Sequence, residues 1–348
     1  VENLPINRRF FAVATALTAV TLAASEAWSQ PKLEKTKVIL AASSKSALTA
    51  LPLTLAEQLG FFKAQGLDLE VVDYGSEARA LQALVSGAAD VMAGTYEQAL
   101  SAPALALKCK AFVLQGRTPA VCLGVSPKAF PNFSGVRALK GKKIGISELG
   151  SASHLLVKQL LSRAGLNEAD VHLVPLGPSL LGLGTFRTNH LDAISHGDPL
   201  MTLLQQKNEV RVVADTRTLK GCHEVFGGAM PWNCLVAPSD FLEKHPRTAQ
   251  SITQVMVHSL KWLQTAGPGD LLKTVPEAYL LGDRALYLAS FNQLRESISP
   301  TGLMPEDGPL TLSRLLARFD PAFKPDKLDL AATFSNEFVR RAQEGFKS

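Results

Sequence analysis

The chain has 348 residues, 46% of them hydrophobic and 19% charged, with a formal net charge of +5. That is enough for two compact domains of roughly 100–200 residues each with a sizeable core, and it excludes wholesale disorder. The positive excess is spread in short pairs such as Lys142-Lys143, so no nucleic-acid-binding face is expected.

Residues 1–30 read as an export signal. Arg8-Arg9 form a positive start, Phe10–Ala24 is an uncharged apolar run, and Ala27-Trp28-Ser29 offers the small residues of a cleavage site before Gln30. The run falls short of the roughly 20 residues that span a bilayer, so removal is expected rather than retention as an anchor. Asn7-Arg8-Arg9-Phe10-Phe11 also resembles a twin-arginine signal, with Asn where Ser or Thr is usual, so the Sec and twin-arginine routes both stay open.

From Lys37 onward, short β-rich runs alternate with helical stretches. Lys37–Ala42 is a strand, Ala50–Ala64 a helix, and Gln65-Gly66 fits a left-handed helix end. Leu67–Tyr74 alternates as a strand, and Gly75-Ser76-Glu77 turns the chain and caps a helix to about Gly87. Asp90–Ala93 and Lys110–Gln115 are further strands, with helix from Thr95 between them. The same grammar repeats from Lys142: strands at Lys142–Ser147, Val171–Pro175, Leu191–Ser195 and Glu209–Ala214, with helices from Ser151, from Gly177-Pro178-Ser179 and after Asp198-Pro199. Alternation of this kind predicts parallel α/β sheets with helices on both faces, and its repetition predicts two similar lobes. A single large doubly wound sheet is the alternative. Ala120–Val125 and Trp232–Ala237 are strands belonging to no βα unit and are read as two crossings between lobes. Beyond Pro238 the chain reads as mostly helical, with Ile252, Val255, Met256, Ser259, Leu260 and Leu263 at helical spacing.

The four cysteines, Cys109, Cys122, Cys222 and Cys234, allow three disulfide pairings. Cys222–Cys234 would close a short loop and is favoured among them; buried free thiols are the equal alternative. None has the Cys-x-x-Cys spacing of a zinc or redox site.

Leu51–Gly94, Leu139–Leu166, Leu191–Leu200 and Leu235–Pro246, with the spacing between them, resemble the solute-binding proteins of nitrate/sulfonate/taurine-type ABC importers, the NitT/TauT or aliphatic-sulfonate-binding group. The resemblance implies a type II periplasmic-binding-protein fold: two doubly wound α/β lobes, joined by two hinge crossings, that close on a ligand. Lobe one would comprise 36–123 plus 234–348, and lobe two 124–233. It further implies a periplasmic monomer that delivers a small anionic or zwitterionic molecule to a membrane permease. No cofactor or metal is expected. The family's usual Trp-Asp/Glu-Pro is His196-Gly197-Asp198-Pro199 here, which removes an aromatic wall.

Ligands of open α/β sheets bind beyond the carboxyl ends of the strands. That rule selects Ser44, Lys45 and Ser46 after the first strand, then Gly94, Thr95 and Tyr96, then Arg117. In lobe two it selects Ser147, Ser151, Ser153, His154 and Asp198, and the second crossing adds Trp232 and Asn233. A helix start at Ser151–Ser153 favours an anion through its free N–H groups and dipole, and Lys45 or Arg117 would supply countercharge. Plainer readings stand beside each of these. Ser151 is a helix cap, His154 a packing residue, Lys45 a solvated charge, Arg117 a hinge ion pair, and Trp232 a hinge plug. Asp198 is either a helix starter or the partner of a ligand amine.

Gly-x-Ser-x-Gly, a phosphate loop and His-Glu-x-x-His are all missing from the sequence, and no enzyme is expected. The alternative of a different class is an enzyme on the same fold, like the pyrimidine-precursor synthases of thiamine biosynthesis; their cysteine-rich motif is not present here. A transcriptional sensor would need a helix-turn-helix segment where residues 1–30 carry the apolar run.

Overall fold

The computed structural model describes residues 32–101, 107–177, 180, 182–188 and 191–345. The expected export signal and the helix start at Pro178-Ser179 lie outside the described residues. The chain first lays down β1 (Lys37–Ala42), α1 (Leu51–Gln58), α2 (Phe61–Ala64), β2 (Asp68–Asp73), α3 (Glu77–Val85), β3 (Val91–Thr95), α4 (Tyr96–Ser101) and β4 (Cys109–Leu114). It then forms β5 (Val121–Val125), β6 (Lys143–Ile146), α5 (Ala152–Arg163), β7 (His172–Pro175), α6 (Gly182–Thr188), β8 (Ala193–Gly197), α7 (Leu200–Gln206), β9 (Arg211–Asp215) and α8 (Leu219–Phe226). The return passes through β10 (Asn233–Pro238), α9 (Ser239–Lys244), α10 (Pro246–Thr265), α11 (Pro268–Thr274), α12 (Arg284–Leu294), α13 (Gly308–Phe319) and α14 (Glu337–Glu344).

These strands make two five-stranded sheets, ordered β2-β1-β3-β10-β4 and β7-β6-β8-β5-β9. The two orders are equivalent. In each sheet the first three strands pair in parallel, and the fourth is the antiparallel crossing strand, β10 in one and β5 in the other. Two lobes joined by two crossings follow directly, as the repeated βα grammar requires. Because all of β5 pairs within the second sheet, the first crossing occupies 115–120, slightly before the lobe boundary expected after Leu123. Strand β3 is buried along its whole length, as a strand covered by helices on both faces must be.

The helix expected over Ala50–Ala64 is two helices. Gly60 adopts φ 70, the left-handed conformation that costs glycine nothing sterically, and it ends α1 before Phe61 restarts the chain. The tail helices return to lobe one: α10 packs on α1, and α14 packs on α10. At the start of α10, Glu34 accepts from the backbone N–H of Arg247 and Thr248 at 3.1 and 3.0 Å, bolting the N-terminal arm to the tail. The tail also reaches lobe two. Helix α12 lies against α7, Lys158 donates to the Phe319 carbonyl at 3.3 Å, and Glu296 accepts from the Leu219 amide at 2.9 Å.

The Cys222–Cys234 disulfide is not formed; all four cysteines are free and buried. Each packs as a small apolar group, and burial pushes the Cys109 and Cys222 thiols up to about 12. A thiol reagent is therefore expected to label the native protein poorly and the unfolded protein at all four positions. Mass spectrometry of labelled peptides checks this; rapid labelling of the native state would contradict it.

Candidate functional site

Beyond the carboxyl ends of β1 and β3 lies a half-buried carboxylate that sequence reasoning passed over. Glu77, the first residue of α3, accepts from the Thr95 amide at 3.2 Å and from the Ser43 side chain. It approaches so closely because position 94 is glycine: a Cβ there would stand 2.6 Å from Glu77 Oε2 and 2.4 Å from Met92 Cε. Burial pushes the Glu77 carboxyl up, opposed by those hydrogen bonds and reinforced by the Glu148 carboxylate from lobe two. Glu77 stands beside the end of β3 in lobe one, and Glu148 follows the end of β6 in lobe two. Glu97, on α4, is pushed up to about 7 by burial and by the neighbouring carboxylates of Glu77 and Asp320.

Asn233 pairs with Thr95 in register across β10 and β3, which puts their side chains on one face. Thr95 Oγ1, Gln115 Oε1, Asn233 Oδ1 and, in the hinge, Thr118 Oγ1 are buried polar atoms with no hydrogen-bond partner. Such atoms are rare in folded proteins. Arg117 is committed to the hinge: its Nε donates to the Glu296 carbonyl at 2.8 Å and its amide to the Ser297 carbonyl at 2.7 Å. Trp232 is buried in the lobe-one core as a plug. Tyr96 is buried too, with its hydroxyl against Thr333 Oγ1 in the tail. Lys45 folds away onto Glu57 at 2.8 Å, while Ser44 and Ser46 lie on the turn after β1.

In lobe two, Ser147, Ser151 and Ser153 make a triangle of hydroxyls 2.8–2.9 Å apart at the start of α5. Ser151 is both the cap of α5, accepting from the His154 amide, and part of this triangle. His154 fixes the turn from behind. Its Nδ1 accepts from the Gly150 amide at 2.9 Å, and its Nε2 lies 3.1 Å from Glu168. Burial holds this imidazole below its ordinary range, against the upward pull of Glu168. A depressed folded value makes the neutral ring the stabilising form, so its contribution is complete above the unfolded value of about 6.5 and fades as pH falls through the lower folded value. Replacing His154 with Gln should flatten the acid limb of stability below about pH 6.5, measured as the urea midpoint against pH; an unchanged limb would contradict it.

Asp198 is consumed within lobe two. It pairs with Arg217 at 3.1 Å, both side chains 1% exposed, and accepts from the Thr202 amide and hydroxyl at 2.9 and 2.7 Å. Gly94, Thr95 and Asn233 thus lie together at the paired ends of β3 and β10, and Ser147, Ser151 and Ser153 lie together at the start of α5, with His154 behind the serine turn. The structure turns Lys45, Tyr96, Arg117, Asp198 and Trp232 to structural duties. Glu77 was findable: the carboxyl-end rule applies equally to the loop after β2, but Ser76-Glu77 read there as a helix cap.

A surface groove of about 790 Å³ lies elsewhere, between α2, α10 and α14. Its arginines are already engaged, Arg247 with Glu34 and Arg341 with Glu337, and no strand end opens into it. Among the described residues no cluster of three His, Cys, Asp or Glu could hold a metal, and no helix is long and apolar enough to cross a membrane.

A family model described as NMT1/THI5 like matches residues 47–266. A solved structure from Bordetella bronchiseptica RB50 is 42% identical, with TM-score 0.82, covering 91% of this chain and 100% of that one. The alkanesulfonate-binding protein SsuA from Xanthomonas axonopodis pv. citri, bound to MOPS, superposes with TM-score 0.66 at 18% identity, over 88% of this chain and 100% of that one. The periplasmic nitrate-binding protein NrtA from Synechocystis PCC 6803 gives TM-score 0.66 at 13% identity, over 90% of this chain and 89% of that one. Among curated proteins none matches the chain. The fold is that of periplasmic binding proteins.

Proposed function

The chain belongs to the NMT1/THI5-like family, and from that premise we propose that it is the solute-binding component of an ABC importer, exported to the periplasm. It captures a small anionic or zwitterionic organic molecule between its lobes and presents it to the membrane permease. The observation that carries this reading is the set of unpartnered buried polar atoms, Thr95 Oγ1, Gln115 Oε1 and Asn233 Oδ1, at the neighbouring ends of β3, β4 and β10. Buried polar groups without partners cost stability, and a ligand that satisfies them recovers that cost. The acidic end of the ligand belongs at the triangle of Ser147, Ser151 and Ser153, where hydroxyls, helix N–H groups and the α5 dipole all favour negative charge. With Lys45 and Arg117 engaged elsewhere, neutral donors hold that end, as suits a sulfonate, taurine, nitrate or aromatic carboxylate class of ligand.

A melting-temperature screen tests the reading, because a ligand that binds only the folded state raises its stability in proportion to ln(1 + [L]/Kd). Sulfonates, amino acids and small carboxylates are expected to include a compound that raises the melt, with the rise lost in Ser151→Ala/Ser153→Ala. A rise with neutral sugars or metal ions alone would contradict it.

A further inference from the structure

The first crossing is anchored at both ends. On the lobe-one side, the Gly116 amide donates to the Asn233 carbonyl at 2.9 Å, and the Arg117 amide to the Ser297 carbonyl at 2.7 Å. On the lobe-two side, Val121 opens β5, and its carbonyl accepts from the Thr216 amide at 2.9 Å and the Thr216 hydroxyl at 2.6 Å. Rotation of one lobe against the other must therefore be absorbed, in this crossing, by Thr118, Pro119 and Ala120. The proline ring fixes its own φ and holds the residue before it in extended backbone. Ala120 is thus the residue most free to turn. It stands at φ 55, in the left-handed region, where its Cβ crowds the following carbonyl oxygen. A second cost lies two residues away: Thr118 is fully buried, and its hydroxyl has no partner. The second crossing carries no such strain. It leaves α8 through Gly227 at φ 80, a setting that glycine adopts freely.

We propose that Ala120 is a sprung pivot. The strain of its left-handed backbone opposes the arrangement in which α12 lies on α7 and Lys158 reaches Phe319, and rotation of the crossing releases it. The orphaned Thr118 hydroxyl pushes the same way, since rotation frees it to find a partner. The pivot rests on the fold alone. Its consequence for the cleft rests on the receptor reading: a solute that holds the lobes together must offset the spring, so Ala120 sets how tightly the solute is kept and how readily it is released.

Three variants of the full chain, with no ligand added, test the pivot. Ala120→Gly removes the steric strain, and Thr118→Val removes the orphaned hydroxyl at nearly constant shape. Ala120→Val does the reverse, because a β-branched side chain tolerates left-handed backbone worse than alanine. The reporter is the Leu219 amide in the first turn of α8, where an N–H has no partner within the helix. It donates instead to Glu296, across the lobes, at 2.9 Å. Its hydrogen exchange, followed by NMR, should slow by about threefold to tenfold in Ala120→Gly. It should also slow in Thr118→Val and quicken in Ala120→Val. The Cys222 amide, bonded to the Thr218 carbonyl within α8, should keep its rate in all three. Small-angle scattering should give a radius of gyration no larger than wild type for the first two and larger for Ala120→Val. Leu219 exchange that is unmoved or faster in Ala120→Gly, or that slows equally at Cys222, would overturn the pivot and leave the receptor reading intact.

Discussion

Arg217→Met is expected to lower the stability of the protein by about 3–5 kcal/mol, the cost of stranding a buried charge. Arg217 is 1% exposed and divides its guanidinium among three acceptors: Asp215 at 2.7 and 2.9 Å, Asp198 at 3.1 Å and Gln205 at 3.1 Å. Burial alone would weaken the guanidinium charge, but the carboxylates of Asp215 and Asp198 more than restore it. Of the two carboxylates, Asp215 is partly exposed and can turn to water, whereas Asp198 is 1% exposed and cannot. Removing Arg217 leaves Asp198 ionised in the interior with only the Thr202 donors. A loss of that size is a large share of the roughly 5–15 kcal/mol that holds a domain together. The double variant Arg217→Met/Asp198→Asn should recover much of the loss, because Asn still accepts from Thr202 and leaves no stranded charge. Denaturant midpoints of both variants check this; a single variant within about 1 kcal/mol of wild type would show that the network is not the keystone of lobe two.

Thr95→Val/Asn233→Leu should separate stability from binding. Each substitution removes a buried oxygen that has no partner, and such groups cost about 1–3 kcal/mol each. The double variant is therefore expected to melt at or above the wild type. Ligand affinity should fall about a hundredfold, since the ligand would then bury its own donors against two apolar groups. Calorimetric titration with the compound found in the melting screen, beside thermal unfolding of the same samples, reads both quantities. A variant that loses stability and binding together would mean that Thr95 and Asn233 are ordinary structural residues.

The fold was legible because local rules and global topology agree along this chain. Strands such as Lys37–Ala42 and Val91–Thr95 are short apolar runs between helix signals, and the glycine that ends a helix at Gly66 adopts φ 73 as its setting requires. The crossings stood out since Ala120–Val125 and Trp232–Ala237 fit no βα unit. The geometry of the candidate site was partly legible. Strand-end reasoning selected Thr95, Asn233 and the three serines, and these lie at strand ends or a helix start. It misassigned Asp198 because its partner Arg217 is brought to it only by the pairing of β5 with both β8 and β9. Lys45 and Arg117 look in sequence like available charges; their partners Glu57 and the Glu296 carbonyl are fixed by tertiary packing. Glu77 was hidden by a plausible local role, since an acidic residue in the first helical turn is favoured with or without a ligand.

Native mass spectrometry of the protein purified without unfolding tests the receptor reading most directly. One low-mass organic molecule per chain is predicted, bearing an acidic group. It should be released on denaturation and lost from Thr95→Val/Asn233→Leu and from Ser151→Ala/Ser153→Ala. A wild-type protein that neither carries nor takes up such a molecule, or an adduct that survives in both variants, would contradict a solute held between the two lobes.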